Sequence, residues 1–506
     1  MKPIHRRTFL AASAAMVALA HPFSRVALAH QGQHHGVQGG TTASELMPLD
    51  AMPKGLPLAP LPQLKNRRRK RGHFRAELVA APHKLTVAAR KPTEFWLYNG
   101  ALPGPQIVVH EGDTVEILFK NRLPEPTTVH WHGLPVPPEQ DGNPQDAVAP
   151  GEERWYRFTL PEGCAGTYWY HPHPHGLTAM QVARGLAGTF IVLPKTPSPL
   201  SELEEQHWLI SDLRLNAQAE IPENRVEDWL NGREGHFVLI NGQREPQITI
   251  NNSTRLRIWN ACAARYLRLH IPGVQWVLLG TDGGRVERPQ WFKEELLLVP
   301  GERVEVLAWR ETASAEPLLS HYYDRDKMMV QEPHSTLVLA QVHHGAGATP
   351  TLPAQLREFP HLKEPKEKKR VVFSEAHMDH HHHGPISRQM LENMFFVNGR
   401  VYDPNRMDLT SNVGEWEHWV LVNDSHMDHP FHLHGTQFLV THREYQGKTT
   451  PEPFKAWRDT VNLRPNETVH MVVRQQHPGI RMFHCHILEH EDLGMMANLH
   501  VIAPTK

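Results

Sequence analysis

FWLYNG at residues 95–100, with the alternating run QIVVHEGDTVEILFKN at 106–121, decides how the chain folds. An apolar segment ends on Asn-Gly, the dipeptide of tight strand-joining turns, and the residues after it alternate as a strand does. The same landmark returns as FVLING at 237–242, ahead of QITINNSTRLRIWNA at 247–261, and as MFFVNG at 394–399. Later in each unit a second turn opens another alternating run: PGEERWYRFTL at 150–160, PGERVEVLAW at 300–309 and PNETVHMVVR at 465–474. Two landmarks in one order, three times over, predict three related β-domains, each a Greek-key sandwich or barrel of short strands.

Length agrees, since 506 residues exceed a single core and suggest about three domains at roughly 150 residues each. Composition between the repeats sets the expected boundaries: a flexible Gly-, Pro- and His-rich segment over 30–71, then domains over 72–195, 200–345 and 368–506. Proline, at 43 residues, disfavours long helices, and 38 histidines call for a metal. Lys plus Arg is 53 against 54 for Asp plus Glu, which excludes a basic surface for nucleic acid and an acidic one for cations. Arg67 to Arg71 is a short basic run, read as a solvated lead into the first strand.

The first residues read as an export signal. Arg6-Arg7-Thr8-Phe9-Leu10 precedes an apolar run from Ala11 to Ala20, and Ala27-Leu28-Ala29 offers small residues for cleavage. Twin arginines point to the route that carries folded proteins, so residues 1–29 are expected to be removed and the mature protein to reside in the periplasm or outside the cell. The run is too short to anchor in a bilayer, and no membrane span is expected in the mature protein. Cys164 and Cys262 could pair after export, but cysteines in different domains are expected to stay apart, Cys262 as a buried thiol.

The chemistry lies in four short segments: His130-Trp131-His132-Gly133, His171-Pro172-His173, HPFHLHG at 429–435 and HCHILEHEDLGMM at 484–496. Two fall in the first domain, two in the third and none in the second, which implies a metal site shared between the outer domains. Residues i and i+2 of a strand point to one face, so four His-x-His pairs deliver eight imidazoles. Eight nitrogen donors suit a cluster of copper ions and exceed what one zinc takes. If His484 and His486 face the cluster, Cys485 between them faces away. Cys485, His490 and Met495 with one remote histidine form the donor set of a blue-copper electron-transfer site. The remote one is His429, because His432 and His434 serve the cluster. His175, by parity, is expected beside His171 and His173.

In order and spacing the four segments resemble the multicopper oxidases: laccases, bilirubin oxidases and bacterial cuprous oxidases. The likeness covers the chain beyond residue 70, and HCHILEHEDLGMM is especially similar to the periplasmic copper-efflux oxidases. It implies three cupredoxin-like Greek-key β-barrels and four copper ions. Type 1 copper would be held by His429, Cys485, His490 and axial Met495, and type 2 by His130 and His432. One type 3 copper would take His132, His171 and His486, the other His173, His434 and His484. The implied reaction takes electrons singly from a reductant and uses four to reduce O2 to water, by a chain expected to be a monomer. The likeness also implies proton carriers, since reduction of O2 consumes protons. Asp141 and Glu491 match the family's acidic positions near the cluster; Asp459 resembles another whose role, protonic or structural, stays open.

The reductant is less legible. Met427, two residues before His429 and on the same face if both lie in one strand, offers a soft thioether suited to Cu(I). HMDHHHH at 377–383 falls where the copper-efflux oxidases carry a methionine-rich insertion, although here the insertion is short and rich in histidine. His377, Met378 and Asp379 with Met427 are therefore expected to form a substrate copper site, with Cu(I) and phenolic or amine compounds as reductants and a role in copper tolerance. A solvated low-complexity loop on a general laccase is the alternative. A copper-binding protein without turnover is another, disfavoured because storage needs no electron path.

Overall fold

A computed structural model describes residues 46–68, 70–292, 295–330, 333–348, 351–376, 386 and 388–504. Residues 1–29, read above as an export signal, and HMDHHHH lie outside the described residues. The strands fall into three two-sheet units, each around its own apolar core. The first pairs a four-stranded with a three-stranded sheet; the second and third each pair a seven-stranded with a five-stranded one. Described α-helices are at most six residues long, and none is long and apolar enough to cross a membrane.

The repeated landmarks do the same physical work three times. Asn99, Asn241 and Asn398 take φ of 51°, 52° and 51°, a left-handed conformation asparagine tolerates, and each is followed by a positive-φ glycine. Each asparagine side chain clasps the unit's first strand, its Oδ1 accepting from the backbone N–H of Val79, Leu209 or Val372. That strand pairs in parallel with a later strand beyond the turn: His73–Ala80 with Thr114–Asn121, Glu205–Ile210 with Arg255–Asn260, and Glu367–Ser374 with Glu417–Asp424. The second landmark closes the far end. Asn121, Asn260 and Asn423 donate their backbone N–H to Glu152, Glu302 and Glu467. Gly151 and Gly301 hold φ near 84° and 87°, and Asn466 fills that left-handed position in the third unit at 57°.

One expectation about the chain's N-terminal part changes, and the one about its cysteines holds. Residues 46–68 are a packed strap rather than a flexible lead. Met47, Met52 and Leu61 are buried, and short bridges tie Leu46 to Asn216, Lys54 to Arg244, Pro57 to Gln247 and Gln63 to Gln106. Frequent prolines, which break any strand or helix period, concealed these apolar anchors. Cys164 and Cys262 are both free buried thiols, as the disfavoured pairing would not allow.

Candidate metal centre

The cluster side chains come from strand ends of the first and third units. His429–Leu433 pairs antiparallel with Gly479–Cys485, register His432 to His484, while His130 and His171 bridge backbones in the first unit. His130, His132, His171, His173, His432, His434, His484 and His486 are all fully buried. Their ring nitrogens converge: His130 Nε2 lies 3.4 Å from His432 Nε2, and His132 Nδ1 lies 3.4 Å from His171 Nε2. His484 Nε2 lies 3.2 Å from His173 Nε2 and 3.0 Å from His434 Nε2. The His486 ring lies 4.9 Å from His132 and 5.6 Å from His171.

The opposite nitrogens are anchored. The Nδ1 atoms of His130, His171, His432 and His484 donate to the backbone carbonyls of Asp141, Pro172, Asp459 and Cys485 at 2.8–3.0 Å. His434 Nδ1 donates to Asp141 Oδ2 at 3.2 Å, and His132 Nε2 to Asp459 Oδ1 at 3.0 Å. A ring whose proton is held outward presents a bare lone pair inward, the preparation a metal-binding imidazole needs. Burial, then the neighbouring rings, push His173, His434 and His486 well below the usual imidazole range, so they stay neutral donors. Facing lone pairs with no proton between them repel. Neither ring nitrogen of His486 has a hydrogen-bond partner, and such orphaned buried nitrogens fit metal ions between the rings. A nitrogen-only set of this size fits copper.

Three further donors meet on the other side of the strand Gly479–Cys485. His429 Nδ1 lies 3.4 Å from Cys485 Sγ and 3.3 Å from His490 Nδ1, and His490 Nδ1 lies 3.9 Å from Cys485 Sγ. Met495 is buried in the same core, and its carbonyl accepts from the Cys485 N–H. His429 Nε2 donates to Glu375 Oε1 at 2.9 Å and His490 Nε2 to the Leu230 carbonyl at 3.0 Å, leaving both Nδ1 atoms for a metal. Burial pushes the Cys485 thiol up, so a thiolate here requires an adjacent cation.

Asp141 and Glu491 are both buried against the cluster. Asp141 Oδ1 lies 3.5 Å from His130 Nδ1 and has no hydrogen-bond partner. The two oxygens of Glu491 lie 3.4 Å from His173 Nε2 and 3.3 Å from His484 Nδ1. Burial, then Asp492 beside it, push the Glu491 carboxyl well above its ordinary range.

Two side chains sit elsewhere than expected. His175 is exposed and packs on Tyr402 at 5.0 Å, because the chain turns after Pro174 and strand parity no longer applies. Met427 is fully buried in a bend, and the strand begins only at His429, so its thioether shares no strand face with that histidine and has no solvent face. His377, Met378 and Asp379 lie outside the described residues.

The second unit, which has no histidine cluster, supplies what the sequence reading missed. Arg303 is fully buried with every N–H satisfied. Its Nε donates to the Thr167 carbonyl, Nη1 to the Gly301 carbonyl and Asp459 Oδ1, and Nη2 to Asp459 Oδ2 and the Asp282 carbonyl. One guanidinium thus joins all three units. Burial alone would raise the Asp459 carboxyl, but Arg303 and then His432 hold it well below the usual range. Gly133, which ends His-Trp-His-Gly, takes φ of 84°, and a Cβ there would lie 2.2 Å from Asp459 Oδ2 and 2.6 Å from Arg303 Nη2. That glycine was the one available signal, since it marks a close approach beside a ligand strand.

Comparison with known proteins agrees with this geometry. Family profiles described as multicopper oxidase match residues 80–197 and 366–504. The solved multicopper oxidase of Campylobacter jejuni, described as a metallo-oxidase, is similar at 48% identity and TM-score 0.90, over 92% of this chain and 99% of that one. Multicopper oxidase mco of Staphylococcus aureus is 31% identical over 82% of this chain and 88% of its own length. Cell division protein FtsP of Photorhabdus laumondii is 28% identical over 82% of this chain and 86% of its own. The chain belongs to the multicopper oxidase family. It is an oxidoreductase whose cofactor is copper and whose substrates are a reductant and O2.

Asp459→Ala would leave Arg303 buried without its carboxylate, a loss of about 3–5 kcal/mol for a broken buried pair. The expected outcome is a lower unfolding midpoint in scanning calorimetry, with Asp459→Asn less affected. An unchanged midpoint for the alanine variant would show that the pair holds nothing together.

Proposed function

We propose that the chain is a four-copper oxidase in which His429, Cys485, His490 and Met495 hold the type 1 ion and His130 and His432 the type 2 ion. His132, His171 and His486 would hold one type 3 ion, and His173, His434 and His484 the other. Copper supplies one-electron uptake at the first site and reduction of O2 to water at the other three. The observation that carries the reading is the strand Gly479–Cys485: Cys485 Sγ meets His429 on one side, and His484 Nε2 meets His173 and His434 on the other. Adjacent residues of one backbone thus form a covalent path between two donor sets, which a copper store would not require.

The protein groups around the cluster act by holding protons and excluding water. Asp141 and Glu491 are buried carboxylates against different cluster imidazoles, suited to carry protons to the cluster. Arg303 and Asp459 keep the two ligand-bearing units in register.

For the reductant, we take Cu(I) as the favoured substrate and copper tolerance as the role, with phenolic or amine compounds also oxidised. Glu375 supports this reading. It bonds His429 and, at 2.5 Å, the half-exposed His426, and HMDHHHH begins two residues beyond it. His377, Met378 and Asp379 thus follow in the sequence just after a strand that ends against a type 1 histidine. Met427, two residues before His429 and as buried as that histidine, stays in that set. Residues 1–29 are read as a twin-arginine signal that delivers a monomer of three domains, 72–195, 200–345 and 368–506, to the periplasm or beyond.

Three measurements test this. Cys485→Ser should lose the intense blue absorption and all oxidase activity, while the eight-histidine cluster still takes up copper; a variant that stays blue would refute the type 1 assignment. Glu491→Gln should slow turnover yet keep copper content and colour, and full activity would mean protons travel elsewhere. Deleting 377–383 should sharply lower O2 uptake with Cu(I) while small phenols react as fast or faster. Equal losses on both substrates, or none with Cu(I), would favour a general laccase.

A further inference from the structure

The larger sheet of the third unit carries a second group of histidines, outside the four motifs. Strands Trp416–Asp424, Thr468–Arg474 and Phe438–Tyr445 are neighbours in that sheet. Trp419, Leu421, Val469, Met471, Val473, Phe438 and Val440 face the core. His418 and His470 alternate with these residues and so lie on the outward face. His442 should point inward by the same alternation, being two residues beyond Val440. A bulge between Val440 and His442 reverses it and sets His442 opposite His470. Three strands thereby place three imidazoles side by side on one outer face.

Their nitrogens are poised as donors. His418 Nε2 lies 3.0 Å from His470 Nδ1, and the rings of His442 and His470 stack at 4.0 Å with 14° between their planes. The Thr441 hydroxyl donates to the His470 carbonyl at 3.1 Å, so its oxygen accepts from His442 Nδ1–H at 3.0 Å. That proton fixes the tautomer and leaves His442 Nε2 a bare lone pair. His470 is 7% exposed, and its Nε2, 3.2 Å from Glu444 Oε1, has no aligned hydrogen bond. Packing alone would be served by the apolar residues that fill the same face nearby, Trp416, Leu439 and Val472.

We propose that His418, His442 and His470 form a surface site for a divalent transition-metal cation, separate from the oxidase copper, with Glu444 supplying negative charge at its edge. Imidazole donors suit Zn(II), Ni(II) and Cu(II), with Cu(II) bound most tightly. The proposal does not depend on the nature of the reductant.

Zn(II), which undergoes no redox change, is the probe. Copper-loaded full-length protein is titrated calorimetrically and its retained zinc counted after dialysis. The His-rich segment adds zinc of its own, so the result is read as a difference between variants. His418→Ala/His442→Ala should retain one zinc ion fewer per chain than the parent, with colour and unfolding midpoint unchanged. His500→Ala, an exposed histidine elsewhere, should keep the parental count. Thr441→Val, which removes the group that fixes the tautomer, should weaken the site about tenfold, and this arm stands even if the double variant folds poorly. Parental zinc count and affinity in both the double variant and Thr441→Val would overturn the proposal and leave three packed histidines.

Discussion

The buried Arg303–Asp459 pair is the constraint on which the metal centre rests. A guanidinium without solvent is tolerated only when its charge and all of its donors are met. Here they are met by a carboxylate of the third unit, a carbonyl of the first and carbonyls of the second. Separating the units would strand a buried charge. Asp459 also receives the proton of His132 Nε2, and its backbone carbonyl receives that of His432 Nδ1. The pair that joins the domains therefore also orients one histidine from each ligand-bearing domain.

A similar economy holds in the strand Gly479–Cys485 and the adjoining helix Leu488–Asp492. The strand divides its side chains between two donor sets, and the helix brings His490 to one set and Glu491 to the other. Asp492 at the end of that helix accepts from the N–H groups of Thr178 and Ala179, capping a first-unit helix. Leu230 of the second unit closes the type 1 side through its carbonyl to His490 Nε2. Each domain thus contributes to excluding water from a site whose imidazole donors must stay neutral.

Glu375 shows how that closed interior meets the surface. It is 6% exposed at its side chain and links buried His429 to His426, whose side chain is 36% exposed. Burial would raise its carboxyl, but hydrogen bonds from His426 and His429 hold it low, at about 2, so it remains an acceptor. No spacing rule connects residue 375 to residue 429; they meet because the strand Glu367–Glu375 ends over the type 1 site.

Local chemistry determined what the sequence alone reveals. Asn-Gly and Pro-Gly-Glu turns need particular residues at particular φ, so three domains were legible from their repetition. Strand parity made His-x-His and His-Cys-His readable as paired donors, because those residues are neighbours along the backbone. Parity failed where the backbone left the strand, at His175 and Met427, and where a bulge intervened, at His442. The strap over 46–68 was hidden because its prolines leave its apolar anchors without a strand or helix period. What joins distant residues was decided only by tertiary structure: Arg303 to Asp459, Glu375 to His429, Leu230 to His490. A buried ion pair or a single long-range hydrogen bond leaves no periodic trace, because its partners are selected by how the domains pack rather than by their spacing along the chain.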